Sequence, residues 1–179
     1  HFSFVCFIIY IMSNNHPSVI SLFSGAGGMD LGFIKAGFNI IWANDFDEDS
    51  VRTYKKNIDN NIILGDITKI SNENIPTNVD IVTGGFPCQG FSISNPNRKN
   101  NGMNDERNFL YKEMLRVINH VKPKFFIAEN VKGILSLEKG RIIPLIINDF
   151  KELGYKVDFK LLDASLYGVP QQSEREIII

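Results

Sequence analysis

The sequence predicts an α/β fold with a doubly wound, mostly parallel sheet. From Ser18 to the end of the chain, short apolar runs alternate with amphipathic stretches. The apolar runs are continuous rather than alternately apolar and polar, which is typical of parallel strands whose two faces are both covered by helices. Right-handed crossovers between such strands produce the doubly wound arrangement.

Seven strands are predicted from the apolar runs. In chain order they cover 18–23, 39–44, 61–64, 79–83, 124–128, 155–162 and 176–179. The first is the run SVISLF, which leads into a glycine cluster. The seventh is an apolar run that the chain end cuts short, so we expect it to expose an apolar sheet edge that favours aggregation.

Four helices are predicted between the strands, over 29–36, 47–57, 108–121 and 142–153. In the second, Val51 and Tyr54 share one face, and glycines at 37 and 154 end the first and last helices. The polar segment 95–108 is too long for a passive connector in a compact domain, which predicts either a functional lid or a disordered segment.

Size and composition favour one globular domain. The chain has 179 residues, 44% of them hydrophobic and 22% charged, which excludes a disordered chain, a collagen or a coiled coil. The chain has 19 Lys and Arg residues and 20 Asp and Glu residues, which gives a net charge of −1. Composition alone therefore does not predict a nucleic-acid-binding protein, and any such function must come from a local site or from additional protein.

The two cysteines, Cys6 and Cys88, exclude a disulfide-rich scaffold and favour a reduced cytoplasmic protein. Residues 1–17 are interpreted as a leader or upstream remnant, with Met12 as the natural start. Residues 1–11 are apolar but too short to span a bilayer, and they lack the flanks of a signal peptide. The folded domain is expected over 18–179.

Ligands of doubly wound folds bind beyond the carboxyl ends of the strands. Residues 23–28 form a glycine-rich turn after the first strand, while Asp45 follows the second strand and Asp66 the third. Each has a plainer interpretation: a turn that binds nothing, a helix cap and a turn residue. Their succession favours a nucleoside cofactor without choosing between NAD and S-adenosylmethionine.

The next strand ends carry candidate catalytic groups. Cys88 lies on a turn flanked by Pro87 and Gly90, where an activated thiolate would be a nucleophile, although a lone cysteine is often only a small buried side chain. Glu129 leaves an apolar strand, so desolvation should raise its pKa and make it a proton donor, unless it is a cap or ion-pair residue. Arg175 is expected near the same edge, where it could orient Glu129 or bind a carbonyl oxygen, although alone it would be an ordinary surface arginine.

Together these residues resemble the cytosine carbon-5 DNA methyltransferase family. SLFSGAGGMDLGF is similar to the family's cofactor motif, GGFPCQGFS to its Pro-Cys nucleophile motif, and ENV to its catalytic glutamate motif, in the family's order. The resemblance runs from Ser18 to the end and covers only the amino-terminal catalytic part. It implies an S-adenosylmethionine-dependent methyltransferase (Rossmann-like) fold over 18–179, incomplete at its C terminus and truncated before the target-recognition domain.

The resemblance implies S-adenosylmethionine as cofactor and no metal. The residues implied to line the cofactor after the first strand are Phe23, Gly25, Ala26, Gly27 and Gly28. Asp45 would hold the ribose, where the family usually has Glu, and Phe46 would lie against the adenine. Asp66 and Ile67 would flank the adenine ring, and Leu110 would close the pocket.

The resemblance also implies the catalytic residues and the substrate. Cys88 would be the nucleophile on a turn fixed by Pro87, and Glu129 and Arg175 would hold a cytosine flipped out of double-stranded DNA. Asn130 belongs to the same catalytic motif as Glu129. The implied nucleic-acid contacts are Gln89, Ser92, Ser94 and Arg107. Ser173 stands where the family has the first of two arginines, which puts full activity in doubt.

Several alternatives remain open from the sequence. The family's RNA-directed branch modifies transfer RNA and shares these motifs. The chain could also be an inactive truncated relic, or part of a split enzyme whose second chain supplies target recognition. A dinucleotide-dependent dehydrogenase is disfavoured because its G-x-G-x-x-G is not in register here. The expected setting is a restriction-modification system in the cytoplasm of a bacterial or archaeal cell.

Overall fold

The computed structural model describes residues 16–87 and 110–179, which form a seven-stranded sheet flanked by helices. The strands are β1 (Ser18–Leu22), β2 (Asn39–Asp45), β3 (Ile62–Leu64), β4 (Ile81–Gly84), β5 (Phe125–Val131), β6 (Phe159–Asp163) and β7 (Glu174–Ile178). Their order across the sheet is β3-β2-β1-β4-β5-β7-β6. Among these pairings, the two that involve β7 are antiparallel and the other four are parallel, which confirms the predicted doubly wound, mostly parallel sheet.

Four α-helices connect the strands in the described part of the chain. They are α1 (Gly28–Lys35), α2 (Glu48–Asn57), α3 (Leu110–Val121) and α4 (Ile142–Glu152). Shorter 3-10 helices cover Ile67–Lys69, Asn72–Asn74, Lys132–Gly140 and Ala164–Tyr167. The predicted start of the third helix, at 108, falls outside the described residues.

The apolar strands divide their side chains between two cores because successive residues of a strand point to opposite faces. Val19 belongs to the core beneath α1 and α2, whereas Ile20 belongs to the core beneath α3 and α4. Both side chains are fully buried. This central position makes β1 a rigid support for the turn that follows it.

The seventh strand differs from its prediction. It lies between β5 and β6 rather than at an edge, and Ile178 and Ile179 are 1% and 4% exposed. The prediction that this strand leaves an apolar sheet edge open to solvent is therefore wrong. Pairing with β7 also extends β5 beyond its predicted end, since Glu129 lies opposite Ile177 and Val131 opposite Arg175.

The sixth strand begins later than predicted. Residues 155–158 are not a strand, and Tyr155 instead packs its ring edge-on against Phe126 at 5.3 Å. The Tyr155 hydroxyl donates a hydrogen bond to the carbonyl oxygen of Pro123 at 2.7 Å. This tertiary anchor keeps an otherwise strand-like run in a loop.

Among the described residues, Glu176 on β7 is a buried carboxyl group without a hydrogen-bond partner. Its side chain is 1% exposed, and in the part of the chain that the structure describes both carboxylate oxygens lack a hydrogen-bond partner. Burial raises the pKa of Glu176 above its ordinary value of 4.5, because the charged form loses its hydration. The folded protein therefore holds this proton to a higher pH than the unfolded chain does.

We expect Glu176 to make the protein less stable as pH rises. The contribution of Glu176 to the free energy of unfolding is fully present below its pKa in the unfolded chain. That contribution is lost as pH rises through the higher pKa of Glu176 in the folded protein. Glu176→Gln should remove this dependence and raise the free energy of unfolding at pH 8 by about 1–3 kcal/mol. Urea unfolding followed by the fluorescence of Trp42, the single tryptophan, measures it. Exposed Glu73→Gln is the control, and equal pH profiles for all three proteins would contradict the expectation.

Candidate active site

A cavity of about 470 Å³ opens at the carboxyl ends of β1, β2, β3 and β4. Its lining residues are Phe23, Asn44, Asp45, Phe46, Gly65, Asp66, Ile67, Thr68, Gly85, Pro87 and Leu110. The volume is within the usual range for small-molecule and cofactor sites. Six predicted cofactor residues line it together with Pro87, whereas the predicted residues 25–28 do not.

The glycine turn after β1 approaches the second strand closely. Phe23 and Gly25 both have positive φ angles, of 53° and 55°, which glycine adopts freely and phenylalanine rarely does. The Gly25 amide donates to Asp45 Oδ2 at 2.7 Å. The turn thus brings Phe23 to the cavity wall and holds its own backbone against the end of β2.

Gly27 serves helix packing rather than the cavity wall. It has φ of 87°, and a β carbon there would lie 2.2 Å from Ile58 Cδ1 and 2.7 Å from Tyr54 Cδ2. Beneath the turn, the buried Asp30 carboxylate accepts hydrogen bonds from Ser21 Oγ at 2.6 Å and Tyr54 Oη at 2.9 Å. These contacts fix the start of α1 against α2. Only glycine fits position 27.

Asp45 ties the glycine turn to the start of α2. One carboxylate oxygen accepts from Gly25 and the other from the Asp47 amide at 2.9 Å. The cap of α2 is Asp47, whose side chain accepts from the Ser50 amide at 2.8 Å. The interpretation of Asp45 as the helix cap is therefore wrong. Each carboxylate oxygen has a second lone pair, so Asp45 can still accept from a ligand hydroxyl in the cavity.

Asp66 is both a turn residue and part of the cavity wall. Its Oδ1 accepts hydrogen bonds from the Thr68 amide at 3.0 Å and the Thr68 hydroxyl at 2.8 Å. These bonds hold the pKa of Asp66 below its ordinary range. The plainer interpretation of Asp66 as a turn residue is correct for its local structure, and its lining position is compatible with ligand contact.

The cavity mouth presents an unusually exposed aromatic ring. Phe46 is 74% exposed although it lines the cavity, whereas Ile67, which also lines the cavity, is buried. Leu110, the first residue of α3, completes the apolar lining. Exposed aromatic surface is costly in water and favours stacking with a planar ligand group.

Glu129 and Arg175 form an ion pair near the carboxyl end of β5. Arg175 Nε lies 2.8 Å from Glu129 Oε1, across the antiparallel pairing of β5 and β7. Burial raises the pKa of Glu129, and the Arg175 guanidinium partly opposes that rise. A β carbon at Gly85 would lie 2.9 Å from Glu129 Oε2, so this carboxylate also contacts the segment that leads to Pro87.

Asn130 fastens that segment to β5. Its Nδ2 donates to the carbonyl oxygen of Phe86 at 2.9 Å, and its side chain is 4% exposed. Phe86 in turn packs on Tyr111 of α3, with ring centroids 6.1 Å apart. The predicted motif residue therefore positions the backbone directly before Pro87 rather than pointing into the cavity.

Some predicted site residues lie outside the described part of the chain. They are Cys88, Gln89, Ser92, Ser94 and Arg107, together with the whole of the predicted lid at 95–108. Ser173 is described, and its amide donates to Asp163 Oδ1 at 3.3 Å. Beside it, Lys132 Nζ lies 2.6 Å from Glu174 Oε2.

Sequence reasoning missed several residues of the site. Asn44, Gly65, Thr68 and Gly85 line the cavity without having been predicted, although the first three adjoin a predicted residue and Gly85 lies two positions before Pro87. Arg116 of α3 was also missed, and its contacts to a cavity wall have no local sequence signal. Among residues 16–87 and 110–179, no group of three or more His, Cys, Asp or Glu side chains could hold a metal ion. Within the same ranges, no helix is long and apolar enough to cross a membrane.

Comparison with known proteins gives consistent matches. A family model described as C-5 cytosine-specific DNA methylase matches residues 18–179. The chain is 47% identical over 169 residues to the Type II methyltransferase M.NgoFVII of Neisseria gonorrhoeae, covering 93% of this chain and 44% of that relative. It is 41% identical over 177 residues to M.AquIA of Picosynechococcus, covering 90% of this chain and 70% of that relative. The comparisons give no support to a second chain.

Solved structures share the fold. A prophage-encoded protein of E. coli, described as a DNA modification methyltransferase, matches with a TM-score of 0.74 and 32% identity, covering 90% of this chain and 45% of that chain. A DNMT2 mutant of Spodoptera frugiperda matches with a TM-score of 0.72 and 26% identity, covering 90% and 49%. The predicted methyltransferase fold is confirmed. The chain spans less than half the length of M.NgoFVII and 70% of the length of M.AquIA.

Proposed function

The chain belongs to the C-5 cytosine-specific DNA methylase family, and on that premise we propose that it methylates carbon 5 of cytosine in double-stranded DNA. Residues 18–179 form the catalytic, S-adenosylmethionine-binding domain in this proposal. The observation that carries it is the Glu129–Arg175 ion pair, which contacts the segment leading to Pro87 beside a nucleoside-sized cavity. The Type II relatives support a restriction-modification role for the whole protein.

The cavity residues fit S-adenosylmethionine. Asp45 offers carboxylate oxygens to ribose hydroxyls, Phe46 offers an exposed ring to the adenine, and Ile67 and Leu110 supply apolar walls. Phe23 stands at the end of the central strand and lines the same space. When bound, the cofactor would supply an electrophilic sulfonium methyl group.

The chain's own residues would activate cytosine, because carbon 5 is a poor nucleophile until carbon 6 is attacked. The Cys88 thiolate forms a bond to carbon 6 while Glu129 donates its proton to ring nitrogen 3, and the ring becomes an enamine. Carbon 5 then takes the methyl group. Loss of the carbon-5 proton to a base re-forms the 5,6 double bond and expels the Cys88 thiolate, while nitrogen 3 returns its proton to Glu129.

Burial of Glu129 suits this role. A carboxyl group whose pKa is raised holds its proton at higher pH, which is what a donor to nitrogen 3 requires. Arg175 fixes the orientation of the carboxylate through Nε and keeps further N–H donors for the cytosine. Asn130 holds the Phe86 carbonyl, which fixes the backbone directly before Pro87.

Methyl transfer to DNA and to transfer RNA tests the substrate. The protein is incubated with methyl-labelled S-adenosylmethionine and each nucleic acid, which is then digested to nucleosides. We expect label in 5-methyl-2′-deoxycytidine from DNA, and none from DNA whose cytosines already carry the 5-methyl group. Label only in RNA nucleosides would select the RNA-directed branch, and label in another base would contradict carbon-5 chemistry. Absence of label everywhere would favour the inactive relic.

A further inference from the structure

Arg116 joins α3 to the cavity wall that follows β3. Its Nη2 donates to the carbonyl oxygen of Ile67 at 2.9 Å, and its Nη1 donates to Asn72 Oδ1. Its Nε donates to Glu113 Oε2 at 2.8 Å on the same helix. The guanidinium is a planar fork with five donors, so it can hold these three groups together in one fixed geometry.

The wall that Arg116 holds has little regular structure of its own. Residues 65–68 line the cavity, yet β3 contributes only three residues and the following segment contains two three-residue 3-10 helices. Short helices of this type are weakly self-stabilising. Contacts from α3 therefore add to the few that fix where Ile67 stands, and Leu110 at the start of α3 lines the same cavity.

We propose that Arg116 is a positioning residue that sets the adenine end of the cavity and thereby the affinity for the cofactor. The identity of that ligand as S-adenosylmethionine rests on the proposed function. Without the guanidinium, the Ile67 carbonyl and the Asn72 side chain lose a donor, and the 65–72 wall is no longer held at its distance from α3. The ligand must then order this wall on binding, which reduces affinity.

The test measures the dissociation constants of S-adenosylmethionine and S-adenosylhomocysteine by titration calorimetry. Arg116→Met keeps the apolar stem and removes the guanidinium, so we expect binding weaker by about tenfold or more. Arg116→Lys retains the positive charge but not the planar guanidinium, so its affinity for the cofactor should lie between those of the wild-type protein and Arg116→Met. Arg52→Met is the matched control. Arg52 is exposed on α2, its Nη2 lies 2.7 Å from Asp49 Oδ1, and it is not one of the residues that line the cavity.

A merely structural role for Arg116 would not separate the kinetic constants. We expect Arg116→Met to raise the KM for S-adenosylmethionine about tenfold while kcat at saturating cofactor stays within about twofold. Wild-type affinity in a folded Arg116→Met protein, or a lower kcat with unchanged KM, would overturn the proposal. If Arg116→Met does not fold, wild-type affinity in Arg116→Lys would overturn it. Failure of the wild-type protein itself to bind either ligand would instead contradict the proposed function.

Discussion

Glu129→Gln is expected to lower the rate of methyl transfer about 10²–10⁴-fold at saturating cofactor. Glutamine matches the shape of the carboxyl group but cannot give a proton to nitrogen 3 of cytosine. The substitution also removes the charge that pairs with Arg175 Nε at 2.8 Å. Cofactor affinity should be unchanged, because Glu129 does not line the cavity.

Single-turnover kinetics with labelled cofactor measures this effect separately from product release. Glu174→Gln is the matched control, because that carboxylate lies next to Arg175 on β7 but pairs with Lys132. We expect the control to retain its rate within about threefold, as an exposed ion pair contributes little. A Glu129→Gln rate similar to that of the control would refute the assignment of Glu129 as the proton donor.

The strands could be predicted because their apolar runs have no competing pattern. Both cores follow from that pattern, as the burial of Val19 and Ile20 on opposite faces shows. The extent of β5 and the start of β6 could not be predicted, because both depend on β7 inserting antiparallel between them. Long-range pairing of this kind leaves no signal within the strand that it extends.

In the candidate site, too, some features could be predicted from the sequence and others depend on long-range contacts. The meeting of Glu129 and Arg175 was predictable, since both were expected at one edge of the sheet. The bonds from Asn130 to Phe86 and from Arg116 to Ile67 span 44 and 49 residues, and neither could be predicted from local sequence. Gly27 stays a predicted cofactor residue, and the structure adds a packing role that the sequence did not predict, since its missing β carbon makes room for Tyr54 and Ile58.

Cys88→Ala is expected to abolish methyl transfer and the covalent enzyme–cytosine adduct together. The proposed mechanism requires a bond between the Cys88 sulfur and carbon 6 before carbon 5 can take a methyl group. An alanine there leaves no nucleophile, so activity should fall to the background of the assay. The cofactor dissociation constant should stay at the wild-type value, since that side chain reacts with the base.

The most direct test of this account is to trap that adduct with an oligonucleotide containing 5-fluorocytosine. Fluorine at carbon 5 cannot leave as a proton does, so the methylated enzyme–DNA complex cannot break down and accumulates. Because it accumulates, it can be detected even though a protein of net charge −1 is expected to bind DNA weakly. A single-stranded oligonucleotide also avoids the cost of base flipping. We predict a denaturation-stable, cofactor-dependent complex with the wild-type protein, a slower one with Glu129→Gln and none with Cys88→Ala. Methyl transfer without a trapped complex, or an undiminished complex with Cys88→Ala, would contradict carbon-5 methylation through Cys88.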